Sequence, residues 1–169
     1  MGTGLRIVAA APIMALVLGH AYGIAAAVFL VAAATDWFDG RLARRWGVTT
    51  KLGSFLDTTA DKLLVATALF ALVAVHRASP WVALVIVTRE FTILGLRAAV
   101  EAGGVHMATS SQGRWKATLQ FIALALAMVR PQVTLAGAYL DQWVMVLAAV
   151  ATAWSGIDYL ARSAGALRA

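Results

Sequence analysis

The chain has 169 residues, of which 62% are hydrophobic and 13% are charged. Soluble domains average roughly 45–50% apolar and about 25% charged residues, so this composition excludes a soluble globular protein, a disordered chain and a fibrous repeat. It indicates a membrane protein with several spans in a single domain, residues 1–169, because the length leaves little room for a second. Cysteine is absent, which excludes disulfides, thiolate metal sites and a cysteine nucleophile.

The net charge is +6, from 14 Lys and Arg against 8 Asp and Glu. In a soluble protein such an excess would suggest a nucleic-acid partner. In so apolar a chain it is better explained by basic residues that flank membrane spans on their cytoplasmic side. We therefore expect this protein to contact membrane lipid and to have no nucleic-acid partner.

Six apolar runs predict six transmembrane helices, since a helix needs roughly 20 residues to cross a bilayer core. In chain order the runs cover residues 4–19, 22–45, 53–76, 81–101, 113–129 and 138–163. Every Lys and Arg except Arg77 and Arg130 falls on one side of these spans. The positive-inside rule places that side in the cytoplasm. The expected fold is an all-α, multi-pass protein of the inner or plasma membrane with both termini cytoplasmic.

Four of the eight acidic residues lie close together, within apolar sequence, at positions 36, 39, 57 and 61. Asp36 and Asp39 are spaced i, i+3, and Asp57 and Asp61 are spaced i, i+4, so each pair lies on one face of its helix. Gly40, Ala43 and Gly53 continue the same faces and would leave space beside the acids. If the two faces meet near the cytoplasmic surface, four carboxylates converge.

Four carboxylates in a dry site need protons or cations to neutralise them. Oxygen ligands favour Mg²⁺, Mn²⁺ or Ca²⁺, and two such ions would balance the four charges. A two-metal site suits phosphoryl-type transfer, with Arg44 available to bind phosphate. The alternative is that the acids form interfacial salt bridges with Arg41, Arg44, Arg45 and Lys62.

The stretch from Asp36 to Asp61 resembles the signature of the CDP-alcohol phosphatidyltransferase family, D-x2-D-G-x2-A-R-x8-G-x3-D-x3-D. All eight fixed positions are filled with the spacing intact, by Asp36, Asp39, Gly40, Ala43, Arg44, Gly53, Asp57 and Asp61. The resemblance implies a six-helix fold, which agrees with the six apolar runs.

The resemblance also implies roles for the signature residues. Two divalent ions, Mg²⁺ or Mn²⁺, would be held by Asp36, Asp39, Asp57 and Asp61. The residue that matches the family's general base is Asp61. The CDP group would be bound by Gly40, Ala43, Arg44 and Gly53.

Three further segments are similar to the branch of the family that makes phosphatidylglycerophosphate. They are Thr3-Gly4-Leu5-Arg6, Arg89-Glu90-Phe91 with Gly95-Leu96-Arg97, and Gly113-Arg114-Trp115-Lys116. This similarity implies transfer of a phosphatidyl group from CDP-diacylglycerol to sn-glycerol 3-phosphate, with release of CMP. The dianionic acceptor needs a phosphate pocket, and the candidates are Arg89, Arg97, Arg114 and Lys116. Alternatively, these residues anchor the helix ends or pair with Glu90 and Glu101.

Two other functions stay open at this point. A sibling transferase would use another acceptor, either inositol phosphate or the phosphatidylglycerol that a cardiolipin synthase uses. A divalent-cation transporter would explain intramembrane acids, although not their position beside small residues and a basic loop. We also expect a homodimer.

Overall fold

The computed structural model describes residues 2–46, 51–102 and 111–166, with side chains for 4–35, 53, 55–100 and 115–161. Six helices run through these residues: α1 Gly2–Leu18, α2 Tyr22–Trp46, α3 Lys51–Ala74, α4 Pro80–Ala102, α5 Ser111–Val129 and α6 Leu140–Ala166. Each helix begins and ends within three residues of a predicted apolar run. The all-α class and the six-helix count are therefore confirmed.

A short hairpin between α5 and α6 was not predicted. Its strands, β1 Thr134–Leu135 and β2 Ala138–Tyr139, pair antiparallel. Ala136 and Gly137 form the turn, with φ of 51° and 80°, and positive φ at both central residues is the mark of a type I′ hairpin turn. Two-residue strands are too short for an alternating hydrophobic pattern, which is why the sequence did not reveal them.

The helices pack into one bundle around a common apolar core. α1 lies against α2 and α3, α5 lies against α2 and α6, and α4 lies against α3 and α6. Each helix contributes at least one buried apolar side chain to the core, among them Ile13, Phe29, Leu69, Ile86, Leu124 and Met145. Many of the remaining core positions are alanines, and small residues allow helix backbones to approach closely in membranes.

The outer surface of the bundle is unusually apolar for a protein in water. Val8, Phe70, Trp154 and Ile157 are among the large apolar side chains that are more than half exposed, and extended apolar surfaces of this kind mark a membrane or protein contact. Within the described residues, one helical segment, Leu140–Ala161 of α6, is long and apolar enough to cross a bilayer. The apolar parts of α1, α2 and α5 are shorter, so six spans stay a prediction.

Three helices end with a non-glycine residue in the left-handed conformation. His20 and His76, with φ of 60° and 56°, close α1 and α3 through paired backbone bonds in which the next residue donates to the carbonyl five positions earlier. This is the Schellman arrangement. Arg130, with φ of 47°, closes α5 by a single bond to Leu126 O at 2.7 Å. The next residue, Pro131, has no N–H to donate, which explains the simpler ending.

At this end of the bundle, two arginines tie the helix ends together. Arg77 donates to Met128 O at 2.6 Å, and its guanidinium lies 3.4 Å from the ring centroid of Tyr22. Arg130 donates to Arg77 O at 3.2 Å and pairs with the buried Asp141 at 3.4 Å. We call Tyr22, Arg77, Arg130 and Asp141 the far-end cluster. It joins the starts of α2 and α6 to the ends of α3 and α5.

We predict that Asp141→Ala lowers the thermal unfolding midpoint of the purified protein in detergent. The change leaves Arg130 without its carboxylate, and removing one partner of a buried pair costs about 3 kcal/mol. Gln132→Ala is the matched control, because Gln132 is exposed and makes only a 3.5 Å contact to Arg130 O. Equal midpoints for the two variants would contradict the role given to the far-end cluster.

Candidate functional site

The first component of the site is a pair of carboxylates on α3. Asp57 and Asp61 are one helical turn apart and therefore share a face. Arg6 of α1 forms ion pairs with both carboxylates, and its Nη1 also donates to Asp57 O at 3.2 Å. The Arg6 side chain is fully buried, whereas those of Asp57 and Asp61 are 41% and 31% exposed. We call Asp57 and Asp61 the acidic pair; it is held from the inside by Arg6 and remains accessible from the outside.

The burial of Arg6 follows from the packing of α1 on α3. An arginine in an apolar helix pays a large desolvation penalty unless carboxylates and further hydrogen bonds surround it. Arg6 meets that requirement with two carboxylates and one backbone carbonyl. The contact also fixes the rotation of α1, since another face of that helix would leave the guanidinium in the apolar core.

The second component is a group of cations around one buried acid. Glu90 of α4, which is 2% exposed, forms ion pairs with Lys62 of α3 and Lys116 of α5. Arg89 adds a contact of 3.2 Å from Nη1 to Glu90 Oε1. We call Lys62, Arg89, Glu90 and Lys116 the basic cluster. Three cations share one carboxylate, so the cluster keeps a surplus of positive charge that suits an anionic ligand.

The last helix also reaches the basic cluster. Nη2 of Arg89 donates to Ser155 Oγ of α6 at 2.9 Å. Arg89 therefore bridges α4 and α6. The members of the cluster lie on α3, α4 and α5, and α6 contacts them through Ser155.

The acidic pair and the basic cluster adjoin each other at Asp61 and Lys62 of α3, since the Lys62 ammonium is close enough to interact electrostatically with the Asp61 carboxylate. One side of this junction offers oxygen ligands for a cation, and the other offers positive charge for an anion. A ligand that carries both a metal-bound phosphate and a free phosphate could span the two. The arrangement is therefore suited to chemistry between phosphate-bearing molecules.

The structure brings together some of the predicted site residues. Asp57 and Asp61 meet through Arg6, and Arg89 and Lys116 meet through Glu90. Half-buried Arg97 lies about two turns beyond Arg89 on α4, and exposed Gly53 lies in the first turn of α3. Six predicted residues have side chains outside the described part of the chain: Asp36, Asp39, Gly40, Ala43, Arg44 and Arg114.

The acidic pair fits the expected divalent ions by its chemistry. Two carboxylates one turn apart supply the hard oxygen ligands that Mg²⁺ and Mn²⁺ prefer. Among the side chains that the structure describes, no three His, Asp or Glu residues come together as a complete ligand set. The remaining ligands would have to come from α2, where Asp36 and Asp39 stand, so the convergence of four carboxylates stays a prediction.

Three residues of the site were not proposed as catalytic or ligand-binding groups from the sequence. Arg6 is a charge inside the first apolar run, which was a usable signal, but its partner on α3 depends on helix packing. Glu90 was considered as a possible partner of the nearby arginines and not as the acid that several cations share. Ser155 gave no signal, because a serine in an apolar helix is commonplace.

Comparison with known proteins identifies what this chain is similar to. The sequence model described as CDP-alcohol phosphatidyltransferase matches residues 1–154. A protein of Salmonella typhimurium named CDP-diacylglycerol–glycerol-3-phosphate 3-phosphatidyltransferase is 42% identical over 149 residues, which cover 85% of this chain and 80% of that protein. Proteins of the same name from Shigella flexneri and Escherichia coli K12 are each 44% identical over 141 residues, covering 80% of this chain and 76% of theirs.

We predict that Glu90→Ala lowers the thermal unfolding midpoint, since three cations then lie together without their shared carboxylate. Loss of one partner from a buried ion pair costs about 3–5 kcal/mol. Inorganic phosphate should raise the midpoint of the variant more than that of the unchanged protein, because the anion replaces the missing charge. Chloride at the same ionic strength is the control. A variant that unfolds at the unchanged temperature, or that responds equally to both anions, would contradict this view of the basic cluster.

Proposed function

The chain belongs to the CDP-alcohol phosphatidyltransferase family, and from that membership we propose the reaction it catalyses. It transfers the phosphatidyl group of CDP-diacylglycerol to sn-glycerol 3-phosphate and yields phosphatidylglycerophosphate and CMP. Relatives that carry the name of this activity share 42–44% of their residues with the chain over most of its length. The structural observation behind the proposal is the junction of the acidic pair with the basic cluster at Asp61 and Lys62.

The transfer exchanges one phosphate ester for another. The acceptor hydroxyl oxygen forms a bond to the phosphorus that carries diacylglycerol, and the bond from that phosphorus to the oxygen of CMP breaks. The hydroxyl proton passes to a carboxylate oxygen of Asp61, the proposed general base. Its side chain is 31% exposed, so an acceptor can come within hydrogen-bond distance.

We assign the divalent ions to four carboxylates. The family generally depends on divalent metal, and the proposed ligands for two Mg²⁺ or Mn²⁺ ions are Asp36, Asp39, Asp57 and Asp61. When bound, these ions would supply positive charge to the diphosphate and to the departing CMP. The contribution of Arg6 is to hold Asp57 and Asp61 from the buried side so that both carboxylates keep a fixed orientation.

The nucleotide and the acceptor would lie on opposite sides of Asp61. The small residues Gly40, Ala43 and Gly53, with Arg44, form the proposed CDP site. The phosphate of the acceptor would bind to Arg89 and Lys116, with Arg97 and Arg114 as further contributors. The surplus positive charge of the basic cluster supports this placement, because a phosphate dianion could balance it.

The proposed location is the inner or plasma membrane, with multiple spans and the reactive end in the cytoplasm. The distribution of charge supports this orientation: the acidic pair and the basic cluster share one end of the bundle, whereas Arg77 and Arg130 lie at the other. Exposed apolar side chains around the bundle suit contact with acyl chains. Part of the same surface would form the contact between the two chains of the proposed homodimer.

An acceptor panel tests the proposed reaction. We expect purified protein with CDP-diacylglycerol and Mg²⁺ or Mn²⁺ to release CMP with glycerol 3-phosphate and not with inositol phosphate or phosphatidylglycerol. Thin-layer separation of the lipid products identifies the acceptor used. Transfer to inositol phosphate alone would show that inositol phosphate, and not glycerol 3-phosphate, is the acceptor. Metal uptake into liposomes without CMP release would instead indicate transport.

A second prediction concerns the base. Asp61→Asn should slow CMP release by at least about 10²-fold, the contribution typical of a positioned general base, while CDP-diacylglycerol still binds. Asp141→Asn makes the same change in the far-end cluster and should keep the turnover of the folded protein. Near-normal CMP release by Asp61→Asn would show that Asp61 is not the general base.

A further inference from the structure

We propose that α6 takes part in acceptor recognition, because Ser155 and Gly156 position the guanidinium of Arg89 for the acceptor phosphate. The inference rests on the proposed function for the identity of the acceptor. Its structural basis is the contact between Arg89 and two consecutive residues of α6, which had no part in the sequence-based picture of the site.

Ser155 fixes the outer end of the Arg89 side chain. Its Oγ accepts a hydrogen bond from Nη2 at 2.9 Å, while Nη1 lies 3.2 Å from Glu90 Oε1. Contacts at both terminal nitrogens define the plane of the guanidinium. A guanidinium has five N–H donors in a fixed geometry, and these two contacts leave donors for a further anion.

Gly156 makes room for the aliphatic part of the same side chain. A Cβ atom at this position would stand 2.8 Å from Cγ of Arg89, 3.6 Å from Nε and 3.8 Å from Cδ. Carbon atoms attract best at about 3.5–4.0 Å, so the first of these distances requires Arg89 to move. A glycine inside a helix is about 1 kcal/mol less favourable than alanine, and the close passage of Arg89 gives a physical reason for its presence.

Arg89 differs from the other cations of the basic cluster in what it can recognise. Lys62 and Lys116 are point charges, whereas an arginine matches two phosphate oxygens at once with a planar pair of donors. Such recognition depends on orientation, which is what Ser155 and Gly156 provide. Their loss should therefore weaken phosphate binding without removing any charge from the cluster.

The test compares Gly156→Ala and Ser155→Ala with two controls. Ser155→Thr keeps the hydroxyl, and Gly23→Ala makes the same glycine change where a Cβ would meet nothing within 4 Å. The KM for glycerol 3-phosphate should rise about tenfold in Gly156→Ala and Ser155→Ala, the effect of losing a hydrogen bond to a charged group. The KM for CDP-diacylglycerol should not change, and both controls should behave as the unchanged protein.

A binding measurement separates this inference from the proposed reaction. Inorganic phosphate should raise the unfolding midpoint of the unchanged protein and of Gly23→Ala, and raise it less in Gly156→Ala and Ser155→Ala. Unchanged KM for glycerol 3-phosphate together with an unchanged phosphate response in both variants would overturn the inference. Parallel changes in both KM values and kcat would also overturn it, since they indicate a general structural defect. A protein that responds to phosphate through Arg89 but transfers nothing to glycerol 3-phosphate would contradict the proposed acceptor alone.

Discussion

A charge inside an apolar helix bundle must have a partner, and this requirement determines how the helices are arranged. Arg6 is fully buried, and among the described side chains it forms ion pairs with Asp57 and Asp61, against which α1 lies. Glu90 is buried in the same way and draws cations from α3 and α5 as well as from its own helix. Apolar packing alone would allow several rotations of each helix, since nearly every face is hydrophobic. The ion pairs select one of them, and the same groups then form the reactive end.

The charges also explain why one end of the bundle is suited to bind ligands and the other end joins the helices. At one end, two carboxylates that are 31% and 41% exposed lie beside a cluster with surplus positive charge. At the other end, arginines are used to close helix ends and to bind Asp141. The first arrangement combines accessible carboxylates with a surplus of cations, whereas the arginines of the second bind backbone carbonyls, an aromatic ring and a carboxylate of the protein itself. Chemistry on a phosphate ester belongs at the first end.

The sequence predicted the helices well because each is an apolar run bounded by turn residues, and it placed Asp57 and Asp61 on one face because that depends only on helical spacing. It could not predict that Arg6 binds them, since this contact depends on how α1 rotates against α3. The role of Ser155 and Gly156 was missed for a related reason: serine and glycine are ordinary in membrane helices, and only the path of the Arg89 side chain distinguishes them. The hairpin at Ala136 and Gly137 was missed because its strands are shorter than any detectable pattern.

The far-end cluster has a mechanical consequence. Arg77 and Arg130 fasten helix ends to one another through backbone carbonyls, an aromatic ring and a carboxylate. Because the groups in these contacts belong to different helices, the ends of α3 and α5 and the starts of α2 and α6 cannot move apart without breaking at least one contact. The ion pairs of Arg6 and Glu90 join the helices at the opposite end. The bundle is therefore fastened at both ends, and a displacement of one helix has to be shared by its neighbours.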